Sequence, residues 1–430
     1  MTSAAQTAHH EPRPATGVLA NRDFVKLWTG ETISLVGTQV TQLALPLVAI
    51  LTLHATVLEV GFLNATRYAP VIVVSLIAGV WLDRRRRRPV LVAADAACAI
   101  FIGLIPVASV LGVLSIWLLY ALALLAGASQ VFLDIGSLSY LPGLVERRQL
   151  ADANGKMQVS YSVAEIAGPT LAGLLVGILT APITLSVDAA SYLCSLAALL
   201  TIRKHEPSPA LDGPAPPVVR SVAEGLRAVF GSRMLRSLLL QSCTFNFCQN
   251  AAITVFLVYA IRRLGLSSTQ LGLVIGAGAV AALAGALVAN RLRTRFGLGP
   301  VLVVATIGAC LSYLLLLIPH GATPADLVIL GAAQAGYGAN VVVYNIITVT
   351  LRQVVTPNRL LARMNGSYRM LLFGAGPLGA ITGGVLGATV GLRAAMTISV
   401  IALTTPAAWI PFSPVFRLRQ MPAGPDEPEP

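Results

Sequence analysis

Gly79-Val80-Trp81-Leu82-Asp83-Arg84-Arg85-Arg86-Arg87-Arg88-Pro89 separates one long apolar run from the next. A carboxylate and five consecutive arginines therefore occupy a very short loop between two predicted membrane helices. Short loops rich in arginine stay on the cytoplasmic side of a membrane, so this loop orients everything around it.

Composition supports a membrane reading of the whole chain. Of 430 residues, 56% are hydrophobic and 11% charged, against roughly a quarter charged in soluble domains. About twelve runs reach the ~20 apolar residues that a transmembrane helix needs. An all-α polytopic protein is expected, with twelve transmembrane helices in two six-helix bundles. The bundles are placed at residues 23–202 and 234–413. Between them, 203–233 reads as a cytoplasmic linker: Glu206 to Pro217 is Pro- and Ala-rich, and Val219, Val222, Leu226 and Val229 then recur at helical spacing opposite Arg220, Glu224 and Arg227. That stretch suits a helix at the inner leaflet or a plain connector. Residues 1–22 and 414–430 are expected to be disordered cytoplasmic tails, and Met1 to Asn21 lacks a signal peptide.

The net charge of +12 comes largely from arginines that flank apolar runs. They are topology signals and imply no nucleic-acid partner. Predicted inner loops and ends carry Arg22, Lys26, Arg84 to Arg88, Arg147, Arg148, Lys156, Arg203, Lys204, Arg291, Arg293, Arg295, Arg352, Arg359, Arg363, Arg417 and Arg419. Predicted outer loops carry only Arg262, Arg263 and Arg393. Both termini are thus expected in the cytoplasm, and abundant alanine with only three lysines suggests a GC-rich bacterial genome and its inner membrane. The five cysteines lie inside apolar runs, without metal-ligand or disulfide spacing.

The halves repeat. Leu150-Ala151-Asp152-Ala153-Asn154-Gly155 is echoed by Leu361-Ala362-Arg363-Met364-Asn365-Gly366, and each precedes an apolar run with Gly-Pro inside it, Gly168-Pro169 and Gly376-Pro377. Parallel repeats of six helices follow.

Gly79, Asp83, Arg84, Arg87 and Arg88 at these spacings resemble the signature loop between helices two and three of the major facilitator superfamily, with Arg86 where that family usually has glycine. Asn21-Arg22-Asp23-Phe24, Ile33 to Gly37 and Ala44-Leu45-Pro46-Leu47 are similar to the branch that contains the enterobactin exporter and macrolide-efflux proteins. Gly168-Pro169 resembles the fifth-helix motif of antiporters, although Ala172 replaces one of its paired glycines. The resemblance covers nearly the whole chain and implies a secondary transporter working by alternating access. It also implies a charged conformational latch, with Asp83, Arg87 and Asp134 in matching places and Asp95 beside them.

Charges deep in a span cost ~2.5–3.5 kcal/mol and tend to face a cavity or a partner. Arg67 and Glu165 lie ~12–13 Å into the second and fifth runs, with Glu31 shallower in the first and Asp188 near the outer end of the sixth. The second half has no carboxylate inside a span, so a carboxylate proton carrier must lie in the first. Glu165, with Arg67 as its opposing cation, is the leading candidate, with Glu31 next; a paired acid pinning helices together is the alternative. Gly168, Pro169, Gly376 and Pro377 supply sites for helix bending. Gln130, Tyr161, Gln241, Asn246, Gln249, Asn250, Gln334, Tyr337 and Asn345 form polar stripes that could line a substrate cavity or act as interhelical glue.

All five histidines lie in tails or loops, and neither a His-Glu-x-x-His zinc site nor a Gly-x-x-x-x-Gly-Lys-Ser/Thr phosphate loop occurs. Neither an enzyme nor a primary pump is expected, and no cofactor or metal. The expectation is a monomeric, proton-coupled exporter of a lipophilic drug-like compound or a secondary metabolite such as a siderophore. A non-transporting sensor and an importer of a small organic solute are the alternatives.

Overall fold

Two sets of six long helices, joined by a short helix, make up the computed structural model, which describes residues 17–83, 85–204, 206, 218–357 and 360–418. In chain order they are α1 (Arg22–Leu47), α2 (Val57–Asp83), α3 (Arg87–Val110), α4 (Ile116–Leu144), α5 (Leu150–Leu179) and α6 (Ala181–Thr201). After the connector α7 (Val218–Gly231) come α8 (Arg233–Arg262), α9 (Ser268–Phe296), α10 (Leu298–Leu314), α11 (Pro324–Val354), α12 (Leu361–Val390) and α13 (Leu392–Ala402), the last prolonged by 3-10 turns over Thr405–Phe412. Among the described residues, 11 helical stretches are long and apolar enough to cross a membrane. The 27-residue α2 is of the same length, and with it the predicted twelve are present.

Polar residues start the helices where the hydropathy changes. Asn21 accepts from the backbone N–H groups of Asp23 and Phe24 at 3.1 and 3.2 Å and so caps α1. Ser267 with Gln270, and Thr323 with Asp326, form reciprocal capping boxes on α9 and α11. Tight joints then reverse the chain. Gly391 bridges α12 to α13 at φ 84°, and Thr180, 211 positions earlier, bridges α5 to α6 at φ 102°. Leu150 and Leu361, which open the repeated hexapeptides, are likewise 211 positions apart.

Packing repeats with the same displacement. Helix α1 packs on α5 and α6, and α4 on α2 and α3; in the second half α8 packs on α12 and α13, and α11 on α9 and α10. The halves meet through α5 on α9 and α12 on α2. Both crossings are built on glycine, because apolar helices in lipid gain from close backbone approach. A Cβ on Gly272 would lie 2.6 Å from the Pro169 carbonyl oxygen and 2.8 Å from the Gly173 Cα. The mates of Gly272 and Gly173 at the 211-residue displacement are Gly61 and Gly384, and a Cβ on Gly61 would lie 3.2 Å from the Gly384 Cα. Gly61 and Gly272 are each in the first turns of their helices, at the end opposite the arginine loop. Asn64 Nδ2 donates to Thr254 Oγ1 at 3.2 Å, and Arg262 Nη2 to the Ala55 carbonyl at 2.6 Å, across the halves at that same end.

Helix α7 docks on the second half. Gly225 meets the backbone of Arg363, Ser367 Oγ donates to the Val222 carbonyl at 3.2 Å, and Glu224 pairs with Arg363. Val229, buried, joins Leu235, Leu239, Met364 and Tyr368 in one apolar cluster.

Candidate functional site

Helices α1, α3 and α4 run further toward the arginine end than their apolar runs do, because the charged residues at the starts of α1 and α3, and Ser139 to Leu144 at the end of α4, are helical too. The acids therefore sit deeper than the hydropathy profile suggests. Glu31 is nine residues inside the start of α1, Asp95 eight inside the start of α3 and Asp134 ten before the end of α4, which is ~12–15 Å along each helix. The three share one layer and line one cavity with Ser34, Thr38, Gln130, Ser137, Tyr161 and Ser195. Ser137 is in hydrogen-bond reach of Glu31, and Ser195 of Asp95. Asp95 is 1% exposed, and its Oδ2 has no hydrogen-bond partner.

Asp134 also belongs to a hydrogen-bonded chain. Thr38 Oγ1 lies 2.9 Å from Tyr192 Oη, which donates to Gln130 Oε1 at 2.7 Å, and Gln130 Nε2 donates to Asp134 Oδ1 at 2.9 Å. Gln130, Asp134, Tyr161 and Tyr192 border a second cavity that also takes in Arg67 and Tyr68. Asp188, fully buried in α6, is held by Thr41 and by Ser191 at 3.1 Å, and Arg67 acts on it electrostatically. Glu165 is exposed, one helical turn beyond Tyr161 on the same face of α5. From the other half, Arg369 of α12 acts on Asp134 and lies 5.5 Å from the Phe373 ring centroid. The sequence reading had not singled out Arg369.

A cavity occupies the second half, lined by Gln241, Phe245, Asn246, Gln249, Tyr337, Tyr344, Asn345 and Arg352 among others. Ten of the thirteen residues around the acid cavity map, at the 211-residue displacement, onto the lining of this one, so the two are repeat mates. Glu31, Asp95 and Asp134 correspond to Ser242, Thr306 and Asn345: the same three positions are acidic in one half and neutral in the other. Of the remaining polar residues on α8 and α11, Asn250 turns back on Asn246, donating to its Oδ1 at 3.1 Å, and Gln334, 5% exposed, backs onto Gly278 at the crossing of α9 and α11. Gly168 and Pro169, and Gly376 and Pro377, lie inside unbroken helices: Gly168 abuts Gln39 of α1, and Gly376 lies beside Asn246 and Asn250 of α8.

At the arginine end, Glu206 accepts from the backbone N–H groups of Arg87 at 2.8 Å and Arg88 at 3.0 Å, a carboxylate on the N-terminus of α3. Arg88 donates through Nε and Nη2 to the Leu199 and Leu200 carbonyls, which closes the end of α6. These partners of Arg87 and Arg88 all lie on the first-half side. Gly79 is in the last turns of α2, which ends at Asp83. Arg84 and the side chain of Asp83 lie outside the described residues, as do the linker from 207 to 217 and most of both tails.

Known proteins share this architecture. The crystal structure of the nucleoside transporter NupG superposes with a TM-score of 0.71 at 14% identity, over 90% of this chain and 97% of that one. A bacterial homologue of the iron transporter ferroportin, in an inward-facing state, gives 0.67 at 16% identity over 92% and 99%. By sequence, the multidrug efflux pump Tap of Mycolicibacterium fortuitum is 27% identical over 405 residues, 90% of this chain and 93% of its own. The enterobactin exporter EntS of Escherichia coli O1:K1 is 26% identical over 373 residues, 85% of each chain. The profile of the family described as transmembrane secretion effector matches residues 15–428. With nearly the full length matched and two repeated six-helix bundles around paired cavities, the chain belongs to that family and is a transporter of the major facilitator superfamily.

Proposed function

We propose that this transporter is a proton-coupled antiporter that exports a lipophilic drug-like compound or secondary metabolite from the cytoplasm, as a monomer in a bacterial cell membrane. The observation that carries the reading is the acid layer: Glu31, Asp95 and Asp134 share one cavity, with Arg369 of the opposite half acting on Asp134. Other polar and charged groups facing the layer are Ser137 of α4, Tyr161 of α5, Ser195 of α6 and, through Gln130 and Tyr192, Arg67 and Asp188.

With the arginine loop on the cytoplasmic side, the glycine crossings close the outer end and the structure is inward-facing. Arg369 then stands where it can balance the charge on Asp134 once a proton has left toward the cytoplasm. When α12 rocks to the outward-facing state that counter-charge is withdrawn, and the acid layer takes up a proton from outside. The unpartnered Oδ2 of Asp95 gives a proton a place to reside. Glu165, exposed beside Tyr161, is the group through which protons enter the layer from the cleft. Export is supported by the relatives, an efflux pump and an exporter by name. Expression in a pump-deficient host should raise resistance to at least one lipophilic compound of a drug panel, and a protonophore should abolish it. Resistance that a protonophore leaves intact would overturn the coupling, and a flat panel would favour the sensor reading.

A further inference from the structure

Among the described residues, Arg352 of the second half is a buried cation with no acidic partner. Arg352 stands two residues before the end of α11, yet it is only 9% exposed and lines the second-half cavity. Its Nε and Nη1 have no hydrogen-bond partner, and its Cζ lies 3.9 Å from the centre of the Tyr368 ring. The polar groups around it are already committed to one another. Tyr368 Oη donates to Ser242 Oγ at 3.0 Å, Tyr344 Oη to Gln241 Oε1 at 3.1 Å and Gln241 Nε2 to Thr306 Oγ1 at 3.2 Å. Among the described residues no carboxylate lines the cavity, and Asp326, the only acid in the sequence between 234 and 413, begins the same helix at its far end. The helix terminus and the tyrosine face make a cation tolerable at this position. They leave Nε and Nη1 without an acceptor, and a buried guanidinium with idle donors is costly unless something pairs with it.

We infer that the cavity takes an amphiphilic organic anion, its carboxylate, sulfonate or phosphate on the Arg352 guanidinium and its apolar body against Phe245 and Tyr337. Those two rings stack at 6.0 Å with 6° between their planes, and Tyr313 backs Tyr337 at 4.4 Å, so the apolar wall is pre-formed. A guanidinium offers two parallel donors, which suits a planar or tetrahedral oxyanion in a way that a primary ammonium does not. This names a substrate class for the transporter proposed above and so rests on this cavity being the one that holds the substrate. The anion specificity itself needs only binding, so proton coupling can fail while this holds.

Two probes that share a body and differ in one group provide the test. 8-Anilinonaphthalene-1-sulfonate carries the anion, and N-phenyl-1-naphthylamine lacks it. Equilibrium binding is measured on the full chain in phosphatidylcholine nanodiscs, with empty discs subtracted. The wild type should bind the sulfonate about tenfold or more tightly than the neutral probe, the range of one charge-assisted hydrogen-bonded pair. Arg352→Gln should erase that preference while leaving neutral-probe binding unchanged, which also reports that the cavity is intact. Arg352→Lys should keep part of the preference, and Arg293→Gln, a change of net charge outside the cavity, all of it. Equal preference in the wild type and Arg352→Gln would overturn the inference. So would loss of sulfonate binding on moving to phosphatidylglycerol discs, with Arg352-dependent retention of that lipid in native mass spectrometry, since Arg352 would then be a lipid anchor.

Discussion

Gly272→Ala should tip the transporter toward the state that is open at the end opposite the arginine loop. The added Cβ would stand 2.6 Å from the Pro169 carbonyl oxygen and 2.8 Å from the Gly173 Cα. Both obstacles are backbone and cannot swing aside. Comfortable carbon contacts begin near 3.5 Å, so α5 and α9 must part by roughly 0.7 Å or more. Overpacking of this kind costs about 1–3 kcal/mol, and here it burdens only the conformation in which the two helices touch. The equilibrium between the two states should then move ~5–150-fold. Gly61→Ala places the same methyl at the repeat-related crossing, 2.6 Å from the Ala380 carbonyl oxygen, and should add to the effect. Spin labels at His54 and Thr323, in a background without the native cysteines, report the separation of the halves at that end. Pulsed dipolar spectroscopy in nanodiscs should show a longer-distance population in Gly272→Ala and more of it in the double variant. Unchanged distance distributions in a folded double variant would refute the glycine crossings as the closure between the halves.

Thr180 holds φ 102° where its repeat mate is Gly391, a backbone region that costs a side chain about 1–3 kcal/mol. Thr180→Gly should therefore raise the midpoint of thermal unfolding in detergent, since the backbone carbonyl that accepts from Thr184 Oγ1 at 2.8 Å is kept, and a fall would refute the strain. Asp83→Asn should slow transport in vesicles at normal membrane abundance, because the loop resembles a conformational latch; an unchanged rate would restrict the loop to setting topology. A single cysteine at Ser208 should be shielded from an impermeant thiol reagent in intact cells while one at Thr323 reacts, and labelling of Ser208 before lysis would invert the assigned orientation.

The architecture was legible because lipid allows few solutions: apolar runs of helical length, a basic loop and a repeated hexapeptide leave little else. The depth of the acids was not. Hydropathy ends a span where charges begin, but α1 continues as helix through Lys26 and Asp23, and α4 runs ten residues beyond Asp134. Asp134, expected at the edge with Arg87, consequently lies in the layer of Glu31 and Asp95. Arg352 sits among the loop arginines in sequence, and nothing in its spacing shows that it folds inward over Tyr368. Arg369 carried no motif of its own. One signal was available and unused: displacing Glu31, Asp95 and Asp134 by the 211 residues that separate the hexapeptides reaches Ser242, Thr306 and Asn345. That alignment of three acids with three neutral polar residues marks both cavities without a structure.

The central claim is that the acid layer couples protons to export, and proteoliposomes test it most directly. Protein is reconstituted with a compound that the drug panel identifies, and uptake is driven by an imposed pH gradient. Wild type should accumulate the compound above equilibrium and move protons in the opposite direction, as followed by a trapped pH indicator. The Glu31→Gln, Asp95→Asn, Asp134→Asn triple variant should keep downhill exchange but lose both accumulation and proton movement. Glu165→Gln, run alongside, should slow proton movement without abolishing it. Accumulation against a gradient by the triple variant would contradict the account.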